Sequence, residues 1–227
     1  MDKSQPLIAS INIPTYTRPH SKFFAFNRLI GQIQDTVSNP DDIEINVKID
    51  DGDTQAFDVM SAYAQTYSNF HFWSTPTLGY RGNSHYHDFL ASKSQGEFIL
   101  LSADDNLFET KGWDKLLYNY VDKTTWFLKP CHGQEAYTNG NLAPLMHHRL
   151  FELVGHTGPY PADWFWDNIQ IWYPIQWPVP EIRILHSWTG FPEETPTMAE
   201  MGKENLVLDT NEVRRIIGLI DAERHKR

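Results

Sequence analysis

The run Phe98-Ile99-Leu100-Leu101 does most to limit what this chain can become. Four consecutive apolar residues without polar alternation read as a strand buried on both faces, the kind found inside a parallel sheet. The run stops abruptly: Ser102 and Ala103 are small, and Asp104-Asp105-Asn106 stands where the chain leaves the sheet. Open α/β sheets bind ligands at the carboxyl ends of their strands, so acids placed there face the usual crevice. Two adjacent hard oxygen donors suit Mg2+ or Mn2+ carrying a substrate's phosphates. The same residues also suit a plain turn, where Asp and Asn are common.

The segments before this strand repeat one rhythm. Leu7 to Ile13 reads as a strand ended by Pro14, and Phe23 to about Val37 as a helix with Phe23, Phe26, Ile30 and Ile33 on one face. Asn39-Pro40-Asp41-Asp42 breaks it. Ile43 to Ile49 alternates apolar and polar residues as a second strand, followed by Asp50-Asp51-Gly52-Asp53. Thr54 to about Tyr67 predicts a helix, Phe70 to Trp73 a strand, and Asn83 to about Ser94 a helix. This β-α-β-α-β-α-β series predicts a parallel sheet with crossover helices. Beyond residue 122 the rhythm weakens. Thr124 to Lys129 and Glu181 to Leu185 read as strands, with a helix from Asp163 to Ile171 between them. Thr210 to Ala222 reads as an amphipathic helix with Val213, Ile216, Ile217 and Ile220 on one face, ending in Arg224-His225-Lys226-Arg227.

Composition removes several classes. Over 227 residues, 41% are hydrophobic and 21% charged, which excludes a disordered chain and suits one sizeable α/β domain. No apolar run approaches the ~20 residues needed to span a bilayer, and no signal peptide opens the chain, so the expected location is cytoplasmic. A net charge of −10 argues against general nucleic-acid binding, which needs a basic face. The single cysteine, Cys131, excludes an intrachain disulfide and a Cys-only zinc site.

Two acidic clusters end two of the predicted strands, Asp50-Asp51-Gly52-Asp53 and Asp104-Asp105-Asn106, and a parallel sheet puts both on one edge. Around them residues 1–122 resemble the nucleotide-sugar-binding half of a GT-A glycosyltransferase. The likeness is to the large inverting family that includes cellulose and chitin synthases and many bacterial polysaccharide transferases. Four elements match in order. Ile13-Pro14-Thr15-Tyr16-Thr17-Arg18 is similar to the exit of the first strand, which lies against the nucleotide. Ile49-Asp50-Asp51-Gly52-Asp53 resembles the Asp-Asp-Gly-Ser exit of the second, with Asp53 in place of Ser. Gly79-Tyr80-Arg81-Gly82-Asn83 and then Gln95-Gly96-Glu97-Phe98 resemble the approach to the metal strand. Ser102-Ala103-Asp104-Asp105 stands where the family carries its metal-binding Asp motif, with Asn106 replacing the acid often found third.

The resemblance implies an α/β, GT-A (Rossmann-like), mostly parallel sheet flanked by helices, with a smaller acceptor-side half. As a single domain, residues 1–122 form the donor half, 123–209 the acceptor half and 210–227 a terminal helix. It implies a nucleotide-binding set of Pro14, Thr15, Arg18, Asp50, Asp51, Arg81, Asn83 and Asp104, with Asp50 accepting from the base. It implies Mn2+ or Mg2+ on Asp105 and His186, with Asp104 holding ribose or metal. In the second half, Gly158 to Trp164 resembles the loop-to-helix segment that places the catalytic carboxylate; Asp163 matches the Asp, and Ala162 departs at the preceding Glu. Asp163 also suits a helix N-cap, and Asp167, one turn on, is the alternative base. Trp164, Trp166, Trp172 and Trp177 crowd this half and suit packing or a sugar platform.

The implied activity is metal-dependent transfer of a sugar from a nucleotide-diphosphate donor, a UDP-sugar foremost, to a carbohydrate or other hydroxyl acceptor with inversion. Two rivals remain. One is a non-catalytic GT-A relic that holds a nucleotide or glycan. The other is nucleotidyl transfer, which usually carries a Gly-rich basic loop after the first strand, unlike Ile13 to Pro19.

Overall fold

The computed structural model describes residues 7–15, 24–79, 82–121, 126–133, 143–159, 162–186 and 209–226. The first half follows the predicted rhythm closely. β1 (Ala9–Pro14), α1 (Phe24–Thr36), β2 (Ile43–Asp50), α2 (Thr54–Thr66), β3 (Phe70–Thr75), α3 (Asn83–Ala91) and β4 (Phe98–Leu101) succeed one another, with a short 3-10 turn at Pro40–Asp42. The second half adds β5 (Asn106–Phe108), α4 (Trp113–Leu117), β6 (Phe127–Cys131), β7 (Leu145–His147), α5 (His148–Val154), α6 (Ala162–Trp172), β8 (Gln176–His186) and α7 (Thr210–Arg224).

All eight strands join one sheet in the order β3-β2-β1-β4-β7-β6-β8-β5. The stretch β3-β2-β1-β4 is parallel throughout, with Ala9 opposite Ile43 and Phe98. Beyond β4 the direction changes: β7 is antiparallel to both β4 and β6, β6 and β8 are parallel, and β5 is antiparallel to β8. The mixed order belongs to the second half.

Helices cover both faces. Phe98 and Leu100 of β4 point into one cluster with Ile11, Ile13, Phe26, Leu29, Ile30, Ile33, Trp113 and Leu117. Ile99 and Leu101 point into the other, with Phe127, Met146, Leu150, Trp166, Ile169, Val213, Ile216 and Ile220. Each such side chain contributes about 1.5–3 kcal/mol relative to exposure. The predicted apolar face of α7 is the face that packs, with Ile217 only partly buried.

β2 differs from its sequence pattern. Its alternation suggests one wet face, yet Glu44, Asn46 and Lys48 are as buried as Ile45 and Val47. Together with Ser10 and Asn12 they form a polar layer beneath α3. Glu44 Oε1 accepts from Ser10 Oγ and from the Gln95 amide, both at 2.6 Å. Asn46 Nδ2 donates to Asn12 Oδ1 at 3.3 Å, and Ser94 Oγ donates to the same oxygen at 3.1 Å. Buried polar groups are tolerated when paired in this way. Gly96 closes the layer, its amide donating to Ser10 Oγ at 2.8 Å. A Cβ there would lie 2.5 Å from the backbone of Ala9 and Ser10, so glycine is required by close approach.

β8 runs from Gln176, five residues before its predicted start, and passes through Pro178 and Pro180. Prolines argue against a paired strand because they carry no N–H. Here the β6–β8 ladder tolerates them and shifts register between Pro130 and Cys131. β6 begins later than predicted, at Phe127; residues 124 and 125 lie outside the described residues. Among the described residues no helix is long and apolar enough to cross a membrane.

Candidate functional site

The carboxyl ends of β1, β2 and β4 meet through named bonds. Thr15, just past β1, is buried; its amide donates to the Lys48 carbonyl at 2.9 Å and its hydroxyl to Asp104 Oδ2 at 2.9 Å. Pro14 pairs with Lys48 in the last rung between β1 and β2. Ser102, past β4, donates its amide to the Asn12 carbonyl at 3.0 Å. Three strand exits with three of the predicted residues, Pro14, Thr15 and Asp104, therefore share one corner.

Residues 103–106 do form a turn, with the Asn106 amide donating to the Ala103 carbonyl at 3.3 Å. Asp104 and Asp105 are its central residues. Asp104 is buried against Thr15 and Asp105 is half-buried. Turn chemistry and a ligand role are compatible here, because the turn itself presents the two carboxylates at the sheet edge. Asn106 is fully buried and spends its Nδ2 on Ser102 Oγ at 3.1 Å, so it holds the turn.

The second acidic cluster divides its labour. Asp50 ends β2 and forms an ion pair with Lys48 Nζ. Asp51 is exposed; its amide donates to the Thr75 carbonyl at 2.9 Å, and its Oδ1 accepts from Ser74 Oγ at 2.5 Å. Gly52 turns the chain with φ of 81°. Asp53 is the N-cap of α2, accepting from the Ala56 amide at 2.9 Å. Asp suits this position as well as Ser does, since either side-chain oxygen satisfies an orphan helix amide.

Asn83 opens α3 and is half-buried. Arg18 and Arg81 lie outside the described residues. His186 pairs through its backbone with Asn106, the neighbour of Asp105, so β5 and β8 carry the two implied metal-binding positions to one point of the sheet. Asp163 is the second residue of α6. The side chains of Asp163 and His186 lie outside the described residues. Asp167 is half-buried and accepts from Gln176 Nε2 at 2.7 Å.

Other histidines follow helix geometry. On α3, His85 is exposed and His87 buried, as residues two apart point to different faces. Burial pushes the His87 imidazole down to about 4. Among the described residues no three His, Cys, Asp or Glu side chains are grouped to hold a metal. Trp166 is buried and donates from Nε1 to the Thr157 carbonyl at 2.6 Å, which assigns it to packing; Trp172 and Trp177 are exposed.

Lys48 was not singled out by its sequence context. In an alternating strand a lysine reads as the solvent phase; the signal against it is that a strand inside a parallel sheet is covered by helices on both faces.

Solved structures share this arrangement. A mannosyltransferase of Pyrobaculum calidifontis, PcManGT, in complex with GDP-Man and Mn2+, matches with a TM-score of 0.62 and 14% identity, over 98% of this chain and 65% of that one. S. aureus TarS matches with a TM-score of 0.61 and 14% identity, over 92% of this chain and 42% of that one. The fold is GT-A-like. Residues 1–349 of TarS in complex with UDP-GlcNAc match at 0.52 and 15% identity, over 64% of this chain and 46% of that one. At such identity the likeness is one of fold, and this chain spans less than two thirds of each structure's length. No protein-family model and no curated protein sequence matches the chain.

Proposed function

We propose that this GT-A-like chain is a glycosyltransferase that takes a sugar from a nucleotide-diphosphate donor, a UDP-sugar foremost, and passes it to an acceptor hydroxyl with inversion. The observation that carries this reading is the Thr15–Asp104 hydrogen bond of 2.9 Å between the exits of β1 and β4. It joins two motif positions, far apart in sequence, at the sheet edge where open α/β folds bind ligands. The donors carried by the similar structures, GDP-Man and UDP-GlcNAc, support the substrate class.

On this reading Asp50 accepts from the base edge, and Pro14, Thr15, Arg18, Asp51 and Asn83 frame the nucleotide. Arg81 pairs with a phosphate. The donor set of Asp104, Asp105 and His186, two carboxylates and an imidazole, suits Mn2+ or Mg2+. The register that sets His186 beside Asn106 supports that grouping. A bound metal supplies charge neutralisation for the leaving diphosphate. In the transfer, the acceptor oxygen forms its bond to the anomeric carbon as the bond from that carbon to the diphosphate oxygen breaks. The electron pair leaves on the diphosphate, and Asp163 takes the hydroxyl proton. The domain reading is one unit, with residues 1–122 for the donor and 123–209 for the acceptor.

The test is a thermal-shift panel of UDP, GDP, CDP and their common sugars, each with Mn2+ and with EDTA. Stabilisation by one nucleotide family only in the presence of Mn2+ is the expected outcome. Absence of any shift would sink the donor site.

Ala162, where the family carries Glu, favours a second reading, a relic that binds donor without turnover. Donor hydrolysis with Mn2+ above the EDTA control is expected of the enzyme and denies the relic.

A further inference from the structure

Lys48 is 1% exposed, an unusual place for an ammonium. Lysine is almost never fully buried unless it is paired, because desolvating the charge is expensive. Its neighbours on β2, Val47 and Ile49, point to the opposite face of the sheet, so Lys48 lies on the same face as Glu44 and Asn46. The ammonium is occupied on two sides. It forms the ion pair with Asp50 and lies 3.6 Å from the centroid of the Tyr86 ring. The Tyr86 hydroxyl in turn accepts from the Leu78 amide, in the segment just before α3. The Lys48 carbonyl holds the Thr15 amide at 2.9 Å, and Thr15 holds Asp104.

One residue thus touches three parts of the sheet edge: the β2 exit through its ammonium, the pre-α3 segment through Tyr86, and the β1–β4 corner through its backbone. Asp50 keeps 21% of its side chain exposed, so fixing one oxygen on Lys48 leaves carboxylate surface at the sheet edge. An ion pair that sets the orientation of a ligand-binding carboxylate acts as a supporting shell acts at other sites. Resting on the proposed donor site, we infer that Lys48 is its positioning residue. It holds the Asp50 carboxylate in register for the nucleotide and couples it to Leu78, without touching the donor itself.

The experiment is isothermal titration of Lys48→Met, Lys48→Gln and Tyr86→Phe with UDP and with GDP in Mn2+, alongside thermal unfolding. Lys48→Met is expected to stay folded and to weaken nucleotide binding about tenfold. Lys48→Gln, which keeps a donor toward Asp50, is expected to recover part of the loss. In donor hydrolysis, the KM for the sugar nucleotide should rise while kcat stays within about twofold. In an Asp50→Asn background, Lys48→Met should add less than about twofold, because both changes remove one interaction. A folded Lys48→Met with wild-type affinity overturns the inference, as do effects of Lys48→Met and Asp50→Asn that multiply in full. Should Lys48→Met not fold, Tyr86→Phe decides: it keeps the ring under the ammonium, loses the bond to Leu78, and is expected to bind about threefold more weakly. Wild-type affinity in Tyr86→Phe overturns the coupling. Wild-type protein that binds neither nucleotide overturns the donor-site reading itself, and this role of Lys48 with it.

Discussion

Residues 7–101 and residues 126–186 contribute to the same sheet under different rules. In the first stretch every strand runs the same way, β2, β3 and β4 each follow a helix, and the exits gather on one edge. The second stretch threads β7 antiparallel between β4 and β6, then β8 parallel to β6, with prolines inside the ladder. The first also has a polar layer beneath α3, where Ser10 donates to Glu44 and Asn46 to Asn12, while Asn12 Nδ2 and Asn46 Oδ1 stay buried without a partner among the described residues. The second has an apolar counterpart under α5, α6 and α7, centred on Phe127, Trp166, Ile169 and Ile216. A parallel crossover places its loops by topology, so a ligand edge follows directly from the fold. An antiparallel excursion places its loops through packing, so its site residues depend on the particular side chains that fill it.

The proposed roles divide along the same line, and three measurements separate them. The largest effect is expected from Asp163→Asn, in the second stretch: donor affinity unchanged in titration, and transfer lowered about a thousandfold, within the range for a lost general base. An active variant would move the base to Asp167 or elsewhere. Asp105→Ala, at the edge of the first stretch, should do the opposite. Metal-dependent UDP affinity falls about a hundredfold, and UDP binding that stays Mn2+-dependent at wild-type strength would refute the assignment.

The smallest effects distinguish the halves by acid. Burial pushes His87, on the inner face of α3, from 6.5 down to about 4. The unfolded chain therefore takes the proton first, so stability is full above pH 6.5 and falls as the pH drops toward 4, by about 3 kcal/mol at most. In the second half, the Arg215 hydrogen bond holds the Glu212 carboxyl down at about 2, with His156 adding to it. That contribution is present above pH 4.5 and lost as the pH falls through 2; partly exposed, it is about 1 kcal/mol. Hydrogen exchange along an acid series should show α3 loosening before α7, and the reverse order would contradict the burial of His87 and the hydrogen bonding of Glu212.

The parallel core was legible because its periodicities are long. β4 has the bounds its apolar run predicts, and α1, α2 and α6 lie within a residue or so of theirs. β5, β7, α4 and α5, three to seven residues long, went unread. β8 was shortened by its prolines. In the site, the acidic exits could be read as sheet-edge carboxylates, but not which of them are committed. Asp53 is spent on a helix cap, Asp51 on Ser74, and Asp50 on Lys48.

By itself the sequence determined the order of elements in residues 7–101, the edge on which both acidic clusters lie, and the apolar faces of α1 and α7. Those follow from local period and from the handedness of the parallel crossover, which needs no knowledge of distant partners. The tertiary structure alone decided that the polar phase of β2 is buried, that Lys48 neutralises Asp50 from within, and that Thr15 reaches Asp104 across 89 positions of chain. Solvent is excluded from that face by α3, and a helix that covers a strand from a distance leaves no mark in the strand's own pattern.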